Sequence, residues 1–411
     1  MKHAARWLLS FLFICVAFSH AKTWAQANPS TQDTFPLLSG LEKSVEFWKK
    51  IFTEYSLSQL IFFDPLDMSK IYEVLEVGEG NRSQSYIDGE RARIAAANNV
   101  EVERVKAQRG VKEQMIAGLK RSGRYMQHIE QIFREKNLPV ELGYLPLVES
   151  SFDVHARSVV GATGMWQFMR ATGKEFRLRI DRIMDERKDP LESTRAAAAL
   201  LDQNYQALGN WPLALTAYNY GAGGLARAVA EIQSDNLVEL IQNYNHPYWG
   251  FAPKNFYAEF LAAVDVAKNL DQYFPGLELH PAVKINEVEL KKASSLAYLA
   301  NSNGFTLQQF LEWNPALSAG MKVVPAGYRV KMPADRKIQP IAEPVVQVAQ
   351  NKPRNPQHDQ LQVVRHRVKR GETVLQIAKR YGSSVERIVQ ANGIRKSHLL
   401  QVGMTLLVPK L

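Results

Sequence analysis

Cysteine is nearly missing from this chain. Cys15 is the only one among 411 residues, and it falls inside an N-terminal apolar stretch. If that stretch is removed as a leader, no thiol remains and disulfides are excluded. Stability must then come from ordinary cores. Long apolar runs are lacking too, since Trp7–Phe18 is too short for a comfortable membrane span. The histidines are scattered, and no His/Cys/Asp cluster has ligand spacing, so no metal and no cofactor are expected. Acidic residues are scarce at the C-terminal end. There Glu372 and Glu386 alone oppose Arg365, Arg367, Lys369, Arg370, Lys379, Arg380, Arg387, Arg395 and Lys396. Strand signals are sparse between residues 111 and 270.

What is present begins with an export pattern. Lys2 and Arg6 precede the apolar stretch, and Ala25-Gln26-Ala27 is an Ala-x-Ala cleavage site. Residues 1–27 therefore read as a signal peptide, with an uncleaved anchor as the alternative. Ile14, bulky and directly before Cys15, argues against lipid attachment there. The remainder is long enough for two or three domains, and apolar and charged fractions of 46% and 22% are those of a folded chain. The net charge of +10 suits nucleic acid, anionic lipid or an acidic polymer, or else a solvated face with no partner. Export argues against nucleic acid.

Glu149 is the most informative residue. It lies in Leu145-Pro-Leu-Val-Glu-Ser-Ser-Phe152, with apolar neighbours on both sides. Desolvation strengthens a carboxylate's hold on its proton, and such a group can act as an acid near neutral pH. A surface glutamate at a helix end is the plain alternative. A second segment, Gly161-Ala-Thr-Gly164-Met165-Trp166-Gln167-Phe168-Met169, joins a glycine turn to apolar surface on which a sugar could stack, with Gln167 able to bond an amide or hydroxyl. Met165, Trp166 and Phe168 either line such a surface or are wholly buried. A third, Ala217-Tyr218-Asn219-Tyr220-Gly221, ends a short helix in a glycine-rich loop. A fourth, Ala252–Tyr257, leads into the apolar run 260–267, which reads as a packing helix.

In this order the segments resemble the soluble lytic transglycosylase family, its membrane-bound type D branch in particular, over residues 110–270. The motifs are Glu149-Ser150, Gly-Ala-x-Gly-x-Trp-Gln-Phe-Met at 161–169 and Ala-Tyr-Asn-x-Gly at 217–221. Arg170, Met165 and Tyr220 depart from the family pattern, and Tyr220 would narrow the cleft. The resemblance implies a mainly α fold, with a lysozyme-like all-helical catalytic domain. It implies Glu149 as the catalytic acid and base. Ser150, Met165, Gln167, Phe168, Tyr218 and Asn219 would meet the substrate. The partner would be peptidoglycan glycan strands, in the periplasm, with peripheral association at the outer membrane a further expectation.

The C-terminal end holds a repeat. Ala300, Gly304 and Asn314 recur as Ala378, Gly382 and Asn392. The second copy, 364–411, resembles the LysM module, a small α+β unit. That implies binding of N-acetylglucosamine-containing glycan through Gly371, Glu372, Thr373, Val374 and Asn392. The first copy, 284–334, keeps the Asn turn but lacks the Gly-Glu-Thr turn, and reads as a degenerate LysM-like domain. The Pro-, Gln- and Asn-rich 335–363 reads as a linker. Residues 111–275 are then the catalytic domain. Residues 28–110 read as an N-terminal helical region, with helices over Leu41–Tyr55 and Asp88–Lys106 and a loop at Phe62–Asp67.

Most glycosidases need two carboxyl groups. Glu141, Asp153, Asp181 and Asp185 are the candidates for a second, and none stands out. The resemblance implies a route needing only one, in which the muramic acid 6-hydroxyl attacks its own anomeric carbon and leaves a 1,6-anhydro product. A water-using muramidase and a non-catalytic wall-binding protein are the rival readings.

Overall fold

A computed structural model of the chain describes residues 34–80, 82–335, 363–369, 372–392 and 403–409. The expected signal peptide lies outside them, as do all but the end residues of the expected linker.

Helix α1 (Glu42–Thr53) buries Val45, Phe47, Trp48, Ile51 and Phe52 on one face, the stripe a 3.6-residue period gives. Strands β1 (Gln59–Asp64), β2 (Asp67–Glu76) and β3 (Lys106–Arg109) form an antiparallel sheet in the order β2-β1-β3. Helix α2 (Gln84–Asn98) lies between β2 and β3. The expectation of an all-helical preface with a loop at Phe62–Asp67 is therefore corrected: Phe62, Phe63 and Asp64 complete β1. The reason is two-sided burial. Ile61 and Phe63 enter the main core, while Leu60 and Phe62 enter a second core with Ile94 and Val105. Such a strand shows no polar alternation to read. Asp64 closes it fully buried, and is tolerated there because Arg104 and the Tyr72 hydroxyl both bond to it.

Helices follow one another from there. They are α3 (Lys112–Glu135), α4 (Leu145–Glu149), α5 (Arg170–Glu175), α6 (Pro190–Leu208), α7 (Trp211–Tyr220), α8 (Ala222–Ile232), α9 (Leu237–Asn243), α10 (Phe251–Lys268) and α11 (Leu270–Tyr273). Between 112 and 273 the described residues contain only isolated bridges. The fold is mainly α, as the sequence implies. The Asp189 side chain accepts from the Leu191 and Glu192 amides to start α6, Pro190 occupies its first turn, and Gly209 ends it in the left-handed region (φ +79°). A 3₁₀ turn over Val140–Tyr144 ends where α4 begins, with Pro146 in the first turn of α4. The expected glycine-rich loop after Tyr220 shrinks to Gly221 (φ +90°), for Gly223 and Gly224 already belong to α8. Helix α10 carries the predicted apolar run and is buried on most sides.

Two segments share the order strand, helix, helix, strand. The first contains β4 (Ile285–Glu289), α12 (Leu296–Ser302), α13 (Leu307–Trp313) and β7 (Arg329–Pro333), with short strands β5 (Ser294–Ser295) and β6 (Val323–Val324) added. β4 pairs antiparallel with β7. It belongs to the same compact unit as the helices. The second contains β8 (Val363–Arg367), α14 (Val374–Tyr381), α15 (Val385–Ala391) and β9 (Thr405–Pro409), with β8 and β9 antiparallel and a small core of its own.

Candidate active site

The acid comes first. Glu149 is the last residue of the five-residue α4, whose Leu145, Pro146 and Leu147 are buried. The chain then turns sharply, with Ser151 and Phe152 at positive φ (51° and 60°) and Phe152 fully buried. Two consecutive non-glycine residues in that region mark strain held by the surroundings. The Arg121 guanidinium donates to the Ser151 carbonyl at 2.8 Å and secures the turn. Glu149 keeps a partial opening to solvent. Burial nevertheless raises its pKa to about 8, and the charge of Glu259 adds to the shift. The group is a protonated acid at neutral pH.

Glu259 was not foreseen. It sits on α10, which packs against α4, and burial raises its pKa to about 8 as well. Its signature in the sequence is the one Glu149 carries, a lone acid in an apolar helix (Tyr257-Ala-Glu259-Phe260-Leu). The four carboxylates proposed as partners are engaged elsewhere. Glu141 pairs with Lys268, Asp181 with Arg179, and Asp185 with Arg187, while Asp153 accepts from the His155 amide.

Around the acid, two hydroxyls hold adjacent carbonyls of one turn. Ser150 Oγ donates to the Met165 carbonyl at 2.7 Å, and Tyr218 OH to the Trp166 carbonyl at 2.7 Å. Tyr218 also stacks on Phe256, one helical turn before Glu259, with centroids 6.5 Å apart and planes 7° apart. Burial, and then the Glu149 charge, raise the Tyr218 pKa well above its ordinary value, so it remains a neutral donor. Of the two options for Met165, Trp166 and Phe168, burial holds: they are 0%, 0% and 2% exposed. Their side chains form the floor under the turn, not a stacking surface. Trp166 Nε1 donates to Thr194 Oγ1 at 2.9 Å, inside the core. Gln167 is half-buried at positive φ (47°), and its amide donates to the Gly164 carbonyl at 2.8 Å. Asn219 is exposed at the end of α7. A cavity of about 530 Å³ lined by Pro36, Tyr205, Trp211 and Leu237 contains none of these residues.

In the C-terminal segment the expected glycan contacts have structural work. Thr373 caps α14 in a reciprocal capping box with Gln376, and Val374 is buried. The Lys369 amide that Glu372 accepts from, with His366 and Arg380 beside it, holds its pKa at about 2. The Asn392 amide donates to Ile388 and Leu407 carbonyls, and its oxygen accepts from the Leu407 amide, each at 2.7 Å. Gly371 lies outside the described residues.

A desolvated acid thus ends a short helix just before a strained turn, and two hydroxyls pin the neighbouring glycine turn. Residues 127–239 match the transglycosylase SLT domain and residues 366–409 the LysM domain, so the chain joins one of each. It is homologous to the membrane-bound lytic murein transglycosylase D of Escherichia coli (strain K12), with 28% identity over 290 residues. That match spans 67% of this chain and 61% of the relative. Two solved structures also align. A lytic transglycosylase Slt from Pseudomonas aeruginosa does so with TM-score 0.30 and 22% identity, over 36% of this chain and 25% of that one. The 70 kDa soluble lytic transglycosylase from Escherichia coli does so with TM-score 0.31 and 17% identity, over 47% and 30%.

Proposed function

We propose that the protein is a peptidoglycan lytic transglycosylase of the cell envelope, exported to the periplasm and held at the wall by its LysM domain. One observation carries the reading: Glu149 is an acid whose proton is retained to about pH 8, in a cleft that contains no cation to ionise it among the described residues. Glu149 protonates the oxygen bridging N-acetylmuramic acid and N-acetylglucosamine. The bond to the anomeric carbon breaks, and the ring carries the positive charge. Glu149, now a carboxylate, takes the proton of the muramic acid 6-hydroxyl as its oxygen closes on that carbon. The 1,6-anhydro ring forms, no water is consumed, and the acid is restored. Ser150 and Tyr218 keep the facing turn in place. Gln167 in that turn and the exposed Asn219 beside Tyr218 would bond substrate.

Hydrolysis is the second reading, and Glu259 favours it as a second carboxyl group near the acid. Its proton, held to about pH 8, makes it a poor base at neutral pH. The experiment is a digest of purified sacculi by the wild-type protein and Glu149→Gln, read by mass spectrometry. Products one water lighter than reducing muropeptides, absent with the variant, are expected. Reducing products would replace the reading with hydrolysis through Glu259. No release from either protein would leave a wall-binding protein.

A further inference from the structure

The two strand-helix-helix-strand segments use the same Asn device on opposite terms. In the second, Asn392 pins Leu407, whose side chain is 37% exposed. In the first, Asn314 pins Lys331 in the same way, its amide donating to the Lys331 carbonyl and its oxygen accepting from the Lys331 amide. Lys331 is 1% exposed. A lysine so deeply buried is tolerated only with partners. It finds them on helix α6: Asp189 at 2.6 Å and Glu192 at 3.1 Å. Burial alone would lower the Lys331 pKa, but these carboxylates outweigh it and hold the amine above its ordinary value. Arg329, on the same face of β7, pairs with Glu192, and Glu287 on β4 pairs with Arg195 of α6.

The loop after Asn314 is also occupied. The Asp185 amide donates to the Ala316 carbonyl at 2.8 Å, and the Ser318 amide to the Ile183 carbonyl at 3.0 Å. Met184 enters the core of the first segment. Helix α3 holds the approach to β4, the Val283 amide donating to the Arg124 carbonyl at 3.1 Å. Residues 183–192 are thus gripped at both ends. Between those ends, Arg187 donates to the Gly161 and Phe168 carbonyls at 3.0 Å each, the two ends of the turn that faces Glu149.

We propose that residues 284–334 are a fixed brace of the helical domain, with residues 183–192 as their partner, and that the loop after Asn314 is closed to glycan. The wall-binding task then falls to the second segment alone. The contacts that end at Arg187 transmit order from the brace to the turn at 161–168.

The test uses the full chain and reads no cleavage, so it stands even if the transglycosylase reading fails. Hydrogen exchange is compared between wild type and Lys331→Met. Amides at 161–168 should exchange on the order of tenfold faster in the variant. Ser318→Pro, which removes one brace hydrogen bond and leaves the buried charges intact, should raise exchange at the same amides by a smaller factor, and covers the case that Lys331→Met unfolds. Chitotetraose, added to isotope-labelled protein, should shift resonances within 366–409 and leave 314–320 unmoved. Exchange changes confined to 284–334 in both variants, or saturable shifts at 314–320, would overturn the proposal.

Discussion

Glu259 raises the proton affinity of Glu149 from the adjacent helix, and among the described residues no cation moderates either carboxylate. Two such groups titrate as a pair, so the pH profile belongs to both. In the proposed mechanism Glu149 must be protonated to act, so activity should be present below its pKa and be lost as pH rises through about 8. Glu259→Gln removes the neighbouring negative charge. The alkaline limb of kcat/KM should then move to lower pH, by roughly one unit or less. A limb at the same pH in both proteins would mean that the two carboxylates do not communicate.

Stability should carry the same imprint. An unfolded chain releases a glutamate proton near its ordinary pKa, whereas the folded protein keeps the Glu149 proton to about pH 8. The folded state therefore binds more protons between those limits, and stability falls as pH rises through them. Glu149→Gln lacks that loss. Its melting temperature should match wild type near pH 5 and exceed it by on the order of a few degrees at pH 8.5. Thermal scans at the two pH values check this, and a gap of equal size at both would exclude the ionisation as its cause.

The two glycines of the turn at 161–168 should respond unequally. A Cβ at Gly164 would lie 1.8 Å from the Arg187 carbonyl oxygen, whereas one at Gly161 meets nothing within 4 Å. Both have positive φ, so Gly161→Ala should cost about 1 kcal/mol from the backbone alone. Gly164→Ala should cost ~3 kcal/mol or more, because backbone must move. Urea unfolding followed by tryptophan fluorescence gives both numbers. Equal costs would show that Arg187 does not crowd the turn.

Asn392→Ala removes three hydrogen bonds, two that join the end of α15 to β9 and one to the Ile388 carbonyl within α15. At about 1 kcal/mol each, the loss is large for so small a core. Binding to insoluble peptidoglycan should disappear together with the dispersed amide resonances of 366–409. Loss of binding with those resonances intact would instead make Asn392 a glycan contact.

Much of this was legible in the sequence, and the failures have physical causes. The cap at Asp189-Pro190, the stop at Gly209 and the desolvation of Glu149 follow from local rules, and these local rules held. Met165 and Phe168 could not be assigned, because an apolar side chain after a turn looks the same whether it meets a sugar or a core. β1 was missed because burial on both faces erases alternation. Glu259 was missed because α10 is far from Glu149 in sequence, and only packing brings the two together. The role of 284–334 was hidden for the same reason: nothing local to Lys331 announces that Asp189 lies against it.

The division of the chain into a unit ending at Ile341 and a unit beginning at Ala342 has a practical consequence. A single proteolytic cut at that junction would spare the acid, the turn and everything that steadies them. On the proposed function, it would part the glycan-cleaving domain from the wall-binding one while leaving the cleaving site whole. In that reading, one cut turns a stationary cutter into a roaming one without any new protein.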